Sequence, residues 1–206
     1  MSDLLKVGAM IVVAVAVGAG IKHFREGGNT MPTAAQVNEQ ADRMTASMEE
    51  EAVRKYPNLP RNEALARYAR EYSAQRLAGK SGNARDVSAA QMFYGFYYMN
   101  TRSREAWCRQ RGSDLSAWVS AFGRIYSREK AAADRILAGT GQDADRIVSM
   151  ITDSLSERVD QDMRDIASSG NAPLEQVCPM LNQNADQLIP MLELPAGVRD
   201  TLLQAG

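Results

Sequence analysis

The chain has 206 residues, 45% of them hydrophobic and 24% charged, with a formal net charge of −1. That length suits one domain with an appendage, and fractions this ordinary exclude wholesale disorder. A single histidine and two cysteines rule out His-rich metal sites, histidine-dependent triads and HExxH peptidase sites.

Taken in order, the chain first shows an uncharged apolar run, Val7 to Ile21 (VGAMIVVAVAVGAGI). A membrane-spanning helix needs about 20 apolar residues. Counted from Leu4, with Lys6 snorkelling toward headgroups, the run qualifies, with Val7, Ile11, Val15 and Ile21 along it. The competing reading is a cleaved signal peptide, with small residues at Val17-Gly18-Ala19. Asp3 offsets Lys6 in the leading segment, which favours an uncleaved anchor; a buried soluble helix is the third reading. Lys22 and Arg25 lean toward a cytoplasmic C-terminal flank, whereas the cysteines argue for an oxidising compartment. The resulting expectation is a single-pass protein of the cell membrane whose soluble domain is periplasmic or otherwise extracytoplasmic.

Residues 1–26 are therefore read as anchor or signal, 27–60 as a joint and stalk helix, and 61–206 as a helical domain. Thr33-Ala34-Ala35-Gln36 matches a capping box. A narrow stripe follows at Val37, Ala41, Met44, Met48, Ala52 and Tyr56, until Pro57 and Pro60 end the helix. A second helix is expected from Arg61 to Ala78, with Leu65, Tyr68, Ala69, Tyr72 and Leu77 facing inward. Gly79-Lys80-Ser81 ends this helix and lacks both the first glycine and the strand of a phosphate loop, so nucleotide binding there is rejected.

The centre of the chain, Gln91 to Leu137, holds nine of the thirteen aromatic residues, the side chains that dominate core energetics. A helix is expected to start at Ser88 or Asp86 and to pass through Phe93, Tyr97, the stem of Arg104 and Trp107 until Gly112 stops it. Another is expected from Leu115 to Leu137 and a third from Ala144 to Ile166, on apolar residues at helical spacing. Beyond Asn171 the prolines break the pattern, leaving a turn through Val177, a helix from Pro179 to Ile189 and a last one from Pro195 to Leu203. Strand signals are lacking, with no alternating β-branched runs and no Asn-Gly or Asp-Gly turn. The expected class is all-α: an N-terminal membrane or signal helix and a bundle of about five to seven helices. Its core is expected to be an antiparallel three-helix segment near 87–167.

Cys108 and Cys178 each fall near a helix boundary. In an exported protein they are expected to pair and fasten an irregular C-terminal region to the bundle. The alternative is two buried thiols.

Charge is uneven along the chain. Residues 54–135 carry sixteen Lys/Arg against seven Asp/Glu, and residues 143–206 carry four against eleven. The simpler reading places basic and acidic helices against each other inside the fold. The sharper one is an arginine-rich surface for an anionic partner, with Arg102, Arg109, Arg111, Arg124 and Arg128 as its candidates. Asp153, Asp160, Asp162 and Asp165 read as a solvated acidic face. A carboxylate-only hydrolase of lysozyme-like type survives elimination, since it needs only two Asp/Glu groups, and Glu63, Glu71 and Glu105 are its candidates. The favoured expectation is a non-catalytic protein-binding module, such as an envelope-complex component, an adaptor or chaperone, or an inhibitor or immunity-type protein. Its partner is a protein and its N-terminal helix contacts the membrane. Cofactor, metal, nucleic acid and small-molecule substrate are not expected.

Overall fold

The structure is a computed structural model that describes residues 34–140 and 152–205. The apolar run with Val7, Ile11, Val15 and Ile21, Thr33 of the capping box and the start of the third central helix at Ala144 lie outside the described residues. Among the described residues, no helix is long and apolar enough to cross a membrane.

The described residues are all-α. α1 (Ala34–Lys55) and α2 (Arg61–Ala78) form a hairpin. α3 (Gly82–Tyr98) continues through a π-helical turn (Met99–Ser103) into α4 (Arg104–Gln110). α5 (Ser116–Ile125), α6 (Ser127–Ala138) and α7 (Thr152–Ser169) follow. Three short helices close the chain: α8 (Val177–Gln183), α9 (Ala185–Leu188) and α10 (Val198–Gln204).

Two apolar clusters hold these elements. The main one joins Phe93, Phe96, Met99, Trp107, Trp118, Phe122, Tyr126 and Leu137 to Val159 and Met163 of α7. The rings interlock, with Phe122 and Tyr126 centred 4.5 Å apart and Phe96 5.3 Å from Tyr126, edge-on. Edge-to-face pairs of this kind add about 0.5–1.5 kcal/mol each to what their burial contributes. The second cluster is small. Met48 and Ala52 of α1 pack on Ala64, Leu65 and Ala69 of α2, with Tyr56, Tyr68 and Tyr72 half-buried around them.

α2 has the bounds that its sequence implies, but other elements differ. α3 starts at Gly82, not at Ser88 or Asp86; Ser88 is buried and accepts a hydrogen bond from the Lys80 ammonium at 2.7 Å. The Leu115–Leu137 helix bends at Tyr126, where φ and ψ are −101° and 19°. Its ring is buried and its hydroxyl donates to the Leu192 carbonyl at 2.8 Å, so a tertiary bond accompanies a bend that periodicity cannot show. Gly112 does stop α4, at φ 72°. Ser113 N–H bonds back to Cys108 C=O and Gly112 N–H to Arg109 C=O, which is a Schellman closure. α7 closes in the same way with Asn171 at φ 48°, so the left-handed position belongs to the residue after Gly170.

The largest correction concerns the C-terminal region. The sequence suggests an irregular tail beside a three-helix core. Instead Val177, Leu181, Ala185, Ile189, Leu192, Val198 and Leu202 are all buried in the main cluster. Helices of four to seven residues are too short to display a periodic stripe, yet each inserts one to three apolar side chains.

Candidate functional site

α4 is only two turns long, but one side of it, continued into its C-cap residue Arg111, carries four different attachments. Arg104, Trp107, Cys108 and Arg111 recur at i, i+3, i+4 and i+7, which places them on one side of the helix. Arg104 donates through Nε and Nη2 to Asp162 Oδ2 at 3.1 and 2.8 Å. Trp107 Nε1 donates to Asp160 at 2.9 Å, and Arg111 Nη2 reaches the same carboxylate at 3.1 Å. Cys108 forms a disulfide with Cys178 of α8, with the Cα atoms 5.8 Å apart. α4 thus clamps α7 and α8 to the aromatic core.

The two aspartates of this clamp differ sharply. Asp162 is 2% exposed and Arg104 fully buried, so the pair sits in the interior with the Arg104 guanidinium 5.3 Å from the Trp118 ring centre. Burial pushes the Asp162 carboxyl above the usual carboxylate range, against the pull of Arg104. Asp160 lies nearer solvent; the Trp107 indole hydrogen bond, then Arg164 at 2.8 Å, hold its carboxyl below that range. Asp160 and Asp162 are therefore not a solvated face. The side chain of Asp153 lies outside the described residues, and Asp165, half-buried, accepts a hydrogen bond from Gln161 at 2.8 Å.

The π turn lies beside this clamp. Asn100 Nδ2 donates to Phe96 C=O and Thr101 Oγ1 to Tyr97 C=O, at 2.8 and 2.7 Å. The Asn100 carbonyl accepts the Trp118 indole at 2.6 Å. The widened turn thereby docks α5 on the core. α8 also supports α5, because Asn182 Oδ1 accepts the Ala117 and Trp118 N–H groups and so caps that helix from a distant segment.

The five candidate arginines separate into two groups. Arg111 is engaged by Asp160 and stacked 3.6 Å from the Trp107 ring centre, and Arg124 pairs with Asp186. Arg102, Arg109 and Arg128 are exposed and form no ion pair among the described residues. Further basic–acidic contacts, Arg70 with Glu193 and Arg199 with Glu129, also connect the central half to the C-terminal half. The simpler reading of the charge asymmetry accounts for much of it.

Of the three glutamates proposed for hydrolysis, Glu71 is engaged within the α1–α2 hairpin. Glu71 pairs with Lys55 at 2.6 Å and accepts the Tyr56 hydroxyl. The Lys55 and Tyr56 hydrogen bonds hold its carboxyl below the usual range, the wrong direction for a general acid. Glu63 and Glu105 are half-buried on α2 and α4. Among the described residues, no group of three His, Cys, Asp or Glu side chains could hold a metal ion. Sequence reading missed Arg104, Asp162 and Glu129 as buried charges. A signal was present for Asp162, which follows Val159 by three and precedes Ile166 by four and so falls on the apolar stripe of α7.

Compared with protein-family models, with curated proteins and with solved structures, the chain matches none.

Proposed function

We propose that this chain is a membrane-tethered or exported helical module that works by binding a protein in an oxidising, extracytoplasmic compartment. The observation that carries this reading is the buried Cys108–Cys178 disulfide at the seam between the core and the C-terminal helices. Disulfides persist where the environment is oxidising and are rare in reducing cytosol. The apolar Val7–Ile21 run supplies the means of export or tethering. The chemistry inside the domain supports binding over catalysis, since its buried charges are engaged in holding helices together. Roles that fit are an envelope-complex component, an adaptor or chaperone, and an inhibitor of a secreted enzyme or toxin.

The test is an intact-mass measurement on protein from its native cells, alkylated before lysis. The expected result is two cysteines that resist alkylation until reduced, on a chain that keeps Val7–Ile21 or has lost it at a signal site. Two freely alkylated cysteines on a full-length chain contradict the compartment and remove the main support for the reading.

A further inference from the structure

Arg104 meets Asp162 through one edge of its guanidinium. Nε and Nη2 both donate to Asp162 Oδ2, which fixes the plane of the group and leaves the Nη1 amino group to find another acceptor. Arginine carries five N–H donors. The two on Nη1 have no hydrogen-bond partner among the described residues, although the side chain is fully buried. Asn100, four residues earlier, is also fully buried, and its Oδ1 likewise has no partner there. Its amide cannot be turned to exchange the two atoms, because Nδ2 donates to the Phe96 carbonyl at 2.8 Å and a carbonyl only accepts.

Two of the four buried side-chain polar atoms without a partner among the described residues thus fall within one turn, and they are complementary, a donor and an acceptor. Residues four apart share a side of a helix, with Cβ atoms about 5–6 Å apart. The π turn (Met99–Ser103) preserves this placement, because a ladder that closes at i+5 brings such residues nearer to one line. The later side chain leans back over the earlier one. Trp118 touches both residues. Its indole donates to the Asn100 carbonyl at 2.6 Å, and its ring centre lies 5.3 Å from the Arg104 guanidinium carbon.

We infer that Arg104 Nη1 and Asn100 Oδ1 hold a buried water between them, on the core side of the π turn. A water accepts from the first and donates to the second, which gives it two of the two to four polar partners that an internal water needs. Two legs of about 2.7–3.2 Å let one molecule span about 5 Å. Leaving a buried donor and a buried acceptor both unmade costs more than immobilising one water. An anion suits the site less well, since it offers no hydrogen to Asn100 Oδ1 and the Arg104 charge already faces Asp162 at 2.8 Å. A cation is repelled by the guanidinium. The water completes a chain of hydrogen bonds from Asp162 of α7 through Arg104 of α4 to Asn100 of the π turn, whose backbone carbonyl holds Trp118 of α5. The clamp therefore reaches the π turn through solvent built into the core.

The test pairs a crystal structure of the full chain, grown with bromide in place of chloride, with water-selective NOE spectra of the isotope-labelled protein in solution. We expect a density peak about 2.7–3.2 Å from both atoms, without a bromine anomalous signal. In solution we expect an NOE from water to the Arg104 side-chain N–H protons, with the sign of a long-lived molecule and not of chemical exchange. N100L keeps the bulk of the side chain and removes its acceptor, so this NOE should be lost. An anomalous peak at the site would identify an anion and overturn the inference. A direct bond between Arg104 Nη1 and Asn100 Oδ1, or the absence of any peak between them, would overturn it as well. An undiminished NOE in N100L would show that Asn100 does not hold the water. Should N100L fail to fold, the wild-type peak and NOE decide alone.

Discussion

The α1–α2 hairpin and the aromatic core are both helical, but they are held together differently. In the hairpin, α1 offers Met48 and Ala52, and α2 replies mostly with alanines. Surface pairs surround this cluster, among them Arg61 with Glu49, Arg54 with Glu51 and Lys55 with Glu71. In the core, large rings interlock, a buried ion pair connects α4 to α7, and a disulfide connects α4 to α8. Exposed pairs contribute about 0–1 kcal/mol each, whereas breaking a buried pair costs about 3–5 kcal/mol. Helical content alone therefore says little about where stability resides. The hairpin is joined to the rest by Leu77, which enters the main cluster, and by polar ties such as Arg158 to Asp42 at 3.0 Å.

The contrast can be broken most directly at Asp162. Asp162→Ala leaves the Arg104 charge buried without its partner and is expected to cost about 3–5 kcal/mol in urea unfolding. Replacing both residues by apolar ones of similar volume should restore much of that loss, because the desolvation penalty leaves with the charges. A double replacement as damaging as Asp162→Ala would show that packing, not charge, sets the cost.

Removing the disulfide with Cys108→Ala and Cys178→Ala comes next. The bridge closes a loop with a sequence separation of 70, worth about 4 kcal/mol in the chain-entropy model. Within the hairpin, Met48→Ala is expected to cost about 2 kcal/mol, at the lower end for a buried methionine because its neighbours are small. Arg61→Ala should cost under about 1 kcal/mol, since its partnership with Glu49 is at the surface. A cost at Arg61 equal to that at Asp162 would erase the distinction between the two regions.

The pH dependence sharpens the same comparison within one helix. Asp160 has a folded pKa held down, so its contribution is present above the ordinary carboxylate range and is lost as pH falls through the folded value. Asp162 has a folded pKa pushed up, so the folded state binds a proton more readily than the unfolded chain. Its ionisation costs stability as pH rises through that raised value, and acid relieves the cost. Urea midpoints between about pH 3 and pH 6 should therefore fall less steeply with acid for Asp160→Asn than for the wild type. Asp162→Asn should remove the opposing component and steepen the fall.

Much of the architecture was legible in the residues. Helix formers without strand signals indicate an all-α chain, prolines and glycines frame α2, and the aromatic density of residues 91–137 marks the core. The paired cysteines were anticipated because both fall at helix boundaries. The bend at Tyr126 was hidden because the apolar pattern runs through it and the hydroxyl's partner, Leu192, is 66 residues away. The buried role of Asp162 was overlooked for a different reason, because the acidic residues around it outweighed its place on the apolar stripe of α7. A carboxylate in an acidic helix resembles a solvated face until a fully buried arginine from another element is seen beside it. Arg102, Arg109, Arg111, Arg124 and Arg128 form one class by composition, and only the fold separates those engaged with Asp160 and Asp186 from those left exposed.

The most direct test of the clamp is native-state hydrogen exchange of the full chain, with and without reductant. The account predicts that reduction lowers protection in α8 and in the first turn of α5, which Asn182 caps, and then in α7. The amides of α1 and of α2 up to Ser73 should be unchanged. Uniform loss of protection across hairpin and core, or no loss in α5 and α8, would contradict the division into a clamped core and a separately packed hairpin.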